Sequence, residues 1–204
     1  LPELESKLVC IPNMLDAAAI KNKAACSPYT ENTRNIVSVG RFASEKHFEN
    51  VIPAVNALLA AGMDFVWHIV GDGSERTRIE RLIAENGLEQ FVILEGSKPN
   101  PYPYMKYADL FVHPSYIESQ GLTVLEAMAL GVPCVVTKSR GPCEFVEDGV
   151  NGLLTEQSPE SLTEKVLLIM SDRTLYQSIK ENTVCPEQFA PDRVMKQIEA
   201  LIDE

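Results

Sequence analysis

Two cations and two carboxylates are the residues best suited to chemistry. Arg41 and Lys46 stand in Gly40-Arg41-Phe42-Ala43-Ser44-Glu45-Lys46, directly after an apolar, β-branched run. Ligands of an open parallel sheet bind beyond the carboxyl ends of its strands, and two cations there suit a diphosphate; in an ordinary loop they would only be solvated. Further along comes Pro114-Ser115-Tyr116-Ile117-Glu118-Ser119-Gln120-Gly121-Leu122-Thr123-Val124-Leu125-Glu126. If Gly121 begins a helix, the free amides of Gly121, Leu122 and Thr123 and the positive end of the helix dipole form an anion seat without side-chain charge. Glu126 falls on that helix among Leu122, Val124, Leu125, Met128 and Leu130. A carboxylate so placed is costly to bury unpaired. Its partner is either a salt bridge or a pair of sugar hydroxyls, held as acidic residues hold ribose in dinucleotide folds. On the second reading Glu118 faces the same pocket. Gly71 and Gly73, in Val70-Gly71-Asp72-Gly73-Ser74, would let backbone approach a ligand, though a tight turn needs glycine for geometry alone. The spacing is not the G-x-G-x-x-G of a dinucleotide fingerprint, so a dehydrogenase lacks its main support. His47, His68 and His113 are spaced without metal-ligand logic. His68 reads as a strand residue and His113 as sheet-end packing.

The elements that must position these groups alternate between β-branched runs and amphipathic stretches, the pattern of βαβ units. Strands are predicted at Asn35 to Gly40, Phe65 to Val70, Phe91 to Leu94, Asp109 to His113 and Pro133 to Thr137. Between them, apolar residues at helical spacing predict helices from Phe48 to Ala61, Glu75 to Asn86 and Leu122 to Leu130, with Gly87 and Gly131 as stop signals. Ala24 to Thr33 reads as a loop. After Gly152 the chain is expected to be helical to its end, with one helix opened by Ser158-Pro159-Glu160 and the last running from Asp192 to Ile202 after Pro191. The expected fold class is therefore α/β, a Rossmann-like parallel sheet flanked by helices, with a helical C-terminus.

At 204 residues and 45% hydrophobic, one core and one domain are expected. The net charge of -11 argues against nucleic acid or an anionic membrane as the main partner, because such binding needs a basic face. Any phosphate site must then be a local basic spot. Five cysteines, an odd number without a C-x-x-C pair, fit a reducing cytoplasm. No apolar run is long enough for a membrane span, and the first residues lack the order of a signal peptide.

Taken together, these residues resemble the retaining group 1 (family 4) glycosyltransferases, whose hallmark is two glutamates with seven residues between them, as Glu118 and Glu126 have. The resemblance extends to Val39-Gly40-Arg41 with Glu45-Lys46, Ile69-Val70-Gly71-Asp72-Gly73, Glu95-Gly96, Ala108 to Ser115, Glu126-Ala127-Met128-Ala129 and Gly131-Val132-Pro133. Ile11-Pro12-Asn13 followed by Asp16 is similar to the segment by which such enzymes enter their C-terminal domain. The resemblance implies that the whole chain, 1–204, is the C-terminal, donor-binding half of a GT-B fold, whose partner is the N-terminal acceptor-binding domain of the same enzyme, absent here. It implies that Arg41 and Lys46 neutralise the diphosphate of a nucleotide sugar, UDP- or GDP-linked, and that Glu126 holds its ribose. Glu118 would contact the transferred sugar, with Gly40, Gly71, Gly96, Gln120, Gly121, Leu122 and Thr123 around the donor and the Gly96-Ser97-Lys98 loop near the base. Transfer to a glycan or lipid-linked glycan, with retention and without a metal or other cofactor, is the implied reaction, in agreement with the spacing of the histidines, and the isolated domain is expected to be inactive. A sugar-nucleotide epimerase, a phosphorylase-like enzyme of the same fold and a non-catalytic nucleotide-sugar-binding module are the alternatives. Two residues depart from the common pattern. His47 stands where a glycine usually follows the lysine, and Gln120 stands where an aromatic often precedes Gly121.

Overall fold

A computed structural model describes residues 9–29 and 33–202. The end of the loop expected from Ala24 to Thr33, at residues 30–32, and the first eight residues lie outside this description. Six strands, β1 (Arg34–Val39), β2 (Phe65–Val70), β3 (Val92–Gly96), β4 (Leu110–His113), β5 (Cys134–Thr137) and β6 (Leu153–Thr155), form one sheet in the order β3-β2-β1-β4-β5-β6. Every pairing is parallel. Successive side chains of a strand point to opposite faces, so β1 sends Ile36 into one apolar layer and Val37 into the other. The first layer packs the sheet against α2 (Val51–Ala60), α3 (Arg76–Glu85), α6 (Pro159–Ser171) and α7 (Arg173–Asn182). On the other face lie α1 (Ala17–Lys23), α4 (Tyr102–Lys106) and α5 (Leu122–Ala129). Coverage on both faces is why the central strands read as nearly continuous apolar runs.

The predicted strands and helices before Gly152 are present with ends shifted by a few residues. The expectation of helix alone after Gly152 is corrected: Leu153–Thr155 is a sixth strand, pairing with β5 before α6 begins. Three residues are too few to display a period of two. What holds the strand is burial of Leu153 and Thr155 and the bond from Thr155 Oγ1 to Thr137 Oγ1 at 3.2 Å. Two helices were not legible as periodic runs, α1 and α4, of seven and five residues. The Asp16 side chain starts α1 by accepting the Ala19 amide at 2.9 Å. Ser158 caps α6 as expected, accepting the Ser161 amide at 3.1 Å, and α8 (Pro191–Ile202) ends the described chain.

A polar thread ties the middle of the sheet together. Trp67, fully buried in β2, donates its indole N–H to Ser38 Oγ at 3.1 Å, and Ser38 donates onward to the Val112 carbonyl at 2.7 Å. The strands that carry the candidate site are thereby linked side by side, with no buried polar atom of the thread left unmet. Among the described residues, no helix is long and apolar enough to cross a membrane.

Candidate functional site

The carboxyl ends of β1, β2 and β3 are laced together before any ligand is considered. Gly40 N donates to Val70 O at 3.0 Å, Phe42 N to Asp72 O at 2.9 Å, and Gly71 N to Gly96 O at 3.0 Å. The amide of Gly71 is therefore engaged within the fold. A Cβ on Gly71 would sit 1.8 Å from the Gly40 carbonyl oxygen, so glycine is required there by the approach of the two strand ends. Gly40 lines the cavity described next, whereas Gly71 and Gly96 do not.

Beyond β1 the chain makes a single 3-10 turn, Ser44–Lys46, ended by His47 at φ 46, ψ 43. His47 is the one non-glycine residue with positive φ among the described residues. A left-handed conformation costs a side chain with a Cβ about 1–2 kcal/mol. That strain coincides with the position where the resembling family usually has glycine. The His47 ring stacks on Tyr116, with centroids 3.9 Å apart and planes 30° from parallel, which offsets part of the cost. The same loop is held from the β4 side: the Glu45 carbonyl accepts both the Tyr116 amide at 3.2 Å and the Ser115 hydroxyl at 3.1 Å. His47→Ala keeps the strain and loses the stack, whereas His47→Gly loses both. Denaturant titration should find the alanine variant less stable than the glycine variant by about 1 kcal/mol. Equal midpoints would show that the left-handed turn is not kept.

This loop geometry delivers Lys46 to Glu118. The Lys46 ammonium donates to Glu118 Oε2 at 2.7 Å, and each side chain is 17% exposed. His113, at the end of β4 and nearly fully buried, brings Nε2 to 3.5 Å from the same oxygen. The His113 imidazole first, then Lys46 and the Gly121 amide, hold the Glu118 carboxyl far below the usual carboxylate range, although its burial opposes them. Burial pushes His113 itself down, and the nearby Lys46 charge adds to this against the opposing pull of Glu118. The pair therefore works as a fixed carboxylate beside a neutral imidazole.

Gly121 begins α5 as the sequence predicts, with φ 71 and a position where a Cβ would meet the Pro142 ring at 2.8 Å. Backbone bonding within the helix begins at the Val124 amide, which leaves the amides of Leu122 and Thr123 without an intrahelical partner. Val39, Gly40, Arg41, Lys46, Glu118, Ser119, Gln120, Leu122 and Thr123 meet around a cavity of about 270 Å³, together with Asn13. Arg41 is the loosest member. Its side chain is 74% exposed and pairs with Glu45 at 3.1 Å, four residues along.

Glu126 opens into an adjoining cavity of about 660 Å³ that also contains Asp16 and Tyr102. Asn13 and Leu122 line both spaces, and the Asn13 amide donates to the Gln120 side chain between them. The two glutamates thus face neighbouring compartments rather than a single pocket. The partner that burial demands for Glu126 is the Tyr102 hydroxyl, which donates to Oε1 at 3.0 Å. Burial pushes the Glu126 carboxyl up, partly countered by this bond, and the Tyr102 hydroxyl is pushed up to about 12, by burial first and then by Glu126. In the Gly96-Ser97-Lys98 loop, Lys98 lies 3.5 Å from Glu95 and over the Tyr104 ring.

Asn13, Tyr102 and Tyr116 were not singled out by sequence reasoning, and His113 was read as packing alone. Only Asn13 carried a signal, through the Ile11-Pro12-Asn13 segment. Tyr102 and Tyr116 gain their places from contacts with residues distant in the chain, and His113 from the loop that folds Glu118 back toward it.

The fold agrees with that of known proteins. The structure superposes on the HepE protein of Anabaena, solved in complex with UDP and glucose, with a TM-score of 0.82 at 25% identity, covering 95% of this chain and 56% of that one. The sheet and its helices match GT-B glycosyltransferase structures. In sequence, the chain is 33% identical over 147 residues to a lipopolysaccharide core biosynthesis glycosyltransferase of Rhizobium meliloti, covering 72% of this chain and 42% of the relative. It is 28% identical over 175 residues to the N-acetyl-alpha-D-glucosaminyl L-malate synthase of Bacillus anthracis, covering 84% and 46%. The chain spans about half the length of these relatives. Residues 21–184 match the pattern described as "Glycosyl transferases group 1", and the chain belongs to that family.

Proposed function

We propose that this chain binds a nucleoside-diphosphate sugar and serves as the donor half of a retaining glycosyltransferase. The observation that carries the reading is the meeting of Lys46, Glu118 and the Leu122 and Thr123 amides, which have no partner among the described residues, around one cavity between the ends of β1 and β4. A gap between strands whose connections leave in opposite directions is where open α/β sheets bind ligands. In this reading Lys46 and the start of α5 take the diphosphate, with Arg41 at the rim and Gly40 at the floor. Glu118 and Gln120 face the sugar, and Glu126 takes the ribose in the adjoining compartment. Catalysis is electrostatic, since a fixed cation and a helix dipole oppose the charge that grows on the departing diphosphate. The HepE complex with UDP and glucose supports the choice of ligand.

The finer parts of the proposal are retention of anomeric configuration, independence from metal, a glycan or lipid-linked glycan acceptor, and dependence on an N-terminal acceptor-binding domain. Half-length coverage of the relatives supports the last of these. A cytoplasmic location is proposed from the five free cysteines, of which Cys134 is buried in β5. With this chain alone, donor and a range of acceptors should give no transfer above background. Turnover would remove the need for a second domain.

One titration series tests ligand, metal and glutamate roles together. Calorimetry with UDP, GDP and ADP should show binding that survives a chelator, and loss of binding with chelator would end the metal-free claim. Glu126→Gln should lower affinity for the free diphosphate by about 1–3 kcal/mol, through weakened bonds to ribose. Glu118→Gln should spare the free diphosphate and weaken only the intact nucleotide sugar. The opposite pattern would reverse the two assignments.

A further inference from the structure

We propose that His113 is a positioning residue that holds the Glu118 carboxylate when Lys46 turns to a bound diphosphate. The inference rests on the reading that a diphosphate occupies the cavity beside Lys46. In the structure Lys46 is the close partner of Glu118, at 2.7 Å. An ammonium drawn toward a diphosphate weakens its grip on that carboxylate, and the incoming negative charge repels Glu118 as well. A side chain meant to meet the sugar would then swing away unless something else fixed it.

His113 is placed to do so. Its Nε2 is buried and has no hydrogen-bond partner among the described residues. Buried ring nitrogens left unpaired are costly and uncommon. The polar group facing it is Glu118 Oε2 at 3.5 Å, just outside hydrogen-bond range, so a shift well under an ångström completes the bond. The imidazole cannot wander, because His113 is the last residue of β4, in register with Val136 of β5, and 3% exposed. Kept neutral by burial, it offers a donor without adding a second cation that would compete for the diphosphate. Lys46 is the mobile partner of Glu118, and His113 is the fixed one.

The test compares wild type, His113→Leu, His113→Gln, Glu118→Gln and the His113→Leu/Glu118→Gln double variant. Each is titrated with UDP, GDP and ADP, and with UDP-glucose, UDP-N-acetylglucosamine, GDP-mannose and ADP-glucose. For the nucleotide sugar that binds best, His113→Leu should lose about ten-fold in affinity while binding of its free diphosphate stays within about two-fold. His113→Gln, which keeps an N–H near the Nε2 position, should recover most of the loss. Adding Glu118→Gln to His113→Leu should cost little more, as in a coupled pair. Nitrogen NMR of wild type should show a neutral His113 protonated on Nε2, whose resonance moves when the diphosphate is added. Equal losses for free diphosphate and nucleotide sugar, additive effects, or a proton on Nδ1 alone would overturn the positioning role. Should leucine fail to fold, the glutamine variant and the NMR result still decide it. Absence of any diphosphate binding by wild type would overturn the underlying functional reading itself.

Discussion

Lys46→Ala is expected to weaken nucleoside diphosphate binding by about ten-fold or more, the equivalent of one charge-assisted hydrogen bond of roughly 1.5–3 kcal/mol. Two effects act in the same direction. The ligand loses a cation whose side chain is 17% exposed and therefore poorly screened, and Glu118 loses the partner that neutralises it next to an anion. Arg41→Ala should behave differently although the sequence presents the two cations as equals. Arg41 is 74% exposed and already paired with Glu45, and exposed pairs contribute on the order of 1 kcal/mol or less. A loss of about three-fold at physiological salt, shrinking further as salt is added, is the expected result for Arg41. Isothermal titration of both variants at two ionic strengths makes the comparison. A larger loss for Arg41 would mean that its side chain leaves Glu45 and closes over the ligand.

Gly71→Ala should produce the largest loss of stability of any alanine substitution at a glycine in this chain, about 3 kcal/mol or more, or prevent folding. Its Cβ would lie 1.8 Å from the Gly40 carbonyl oxygen and 3.1 Å from the Phe42 ring, at a φ of 152. Backbone on one side and a buried aromatic on the other leave no flexible atom to yield. Gly87, which ends α3 at φ 67 with nothing within 4 Å of a Cβ, is the control. Gly87→Ala should cost about 1 kcal/mol, from backbone conformation alone. Chemical denaturation of the two variants separates crowding from conformation. Similar midpoints would mean that the strand ends spread apart at little cost.

Much of the fold was legible because the physics that builds it is local. The strand expected from Phe65 to Val70 matches at both ends, since a run of five apolar residues and His68, bounded by Asp64 and Gly71, admits few other interpretations. Gly121 announced the start of α5 because glycine tolerates the left-handed cap that the turn needs. Leu153–Thr155 was missed because a three-residue edge strand is specified by its neighbours, Val135 to Thr137, and not by its own pattern. The site divides in the same way. Arg41, Lys46, Glu118 and Glu126 were named from residue type and place after a strand. Nothing in the sequence could show that Lys46 and Glu118 touch or that Tyr102 satisfies Glu126, because those pairings join residues 72 and 24 positions apart. His113 is only five residues from Glu118, but its approach depends on the path of the loop between them. The glycines were the opposite case: Gly71 looked permissive toward a ligand, and its neighbour across the strand ends turned out to be the Gly40 carbonyl.

The strand order also governs how the molecule is assembled. β2 and β3 follow β1 at short range, and β5 and β6 follow β4, so two three-stranded halves can each form from nearby segments. Their seam, where Ile36 pairs with Leu110, joins residues far apart in sequence and closes a long loop before it returns any contact. Such pairings are slow to form, because the entropy of closing the loop is lost before the contacts compensate. Lys46 comes from one half and Glu118 from the other. The candidate cleft is therefore absent from either half alone and is complete only once the seam between β1 and β4 has closed, so recovery of ligand binding during refolding reports closure of that seam.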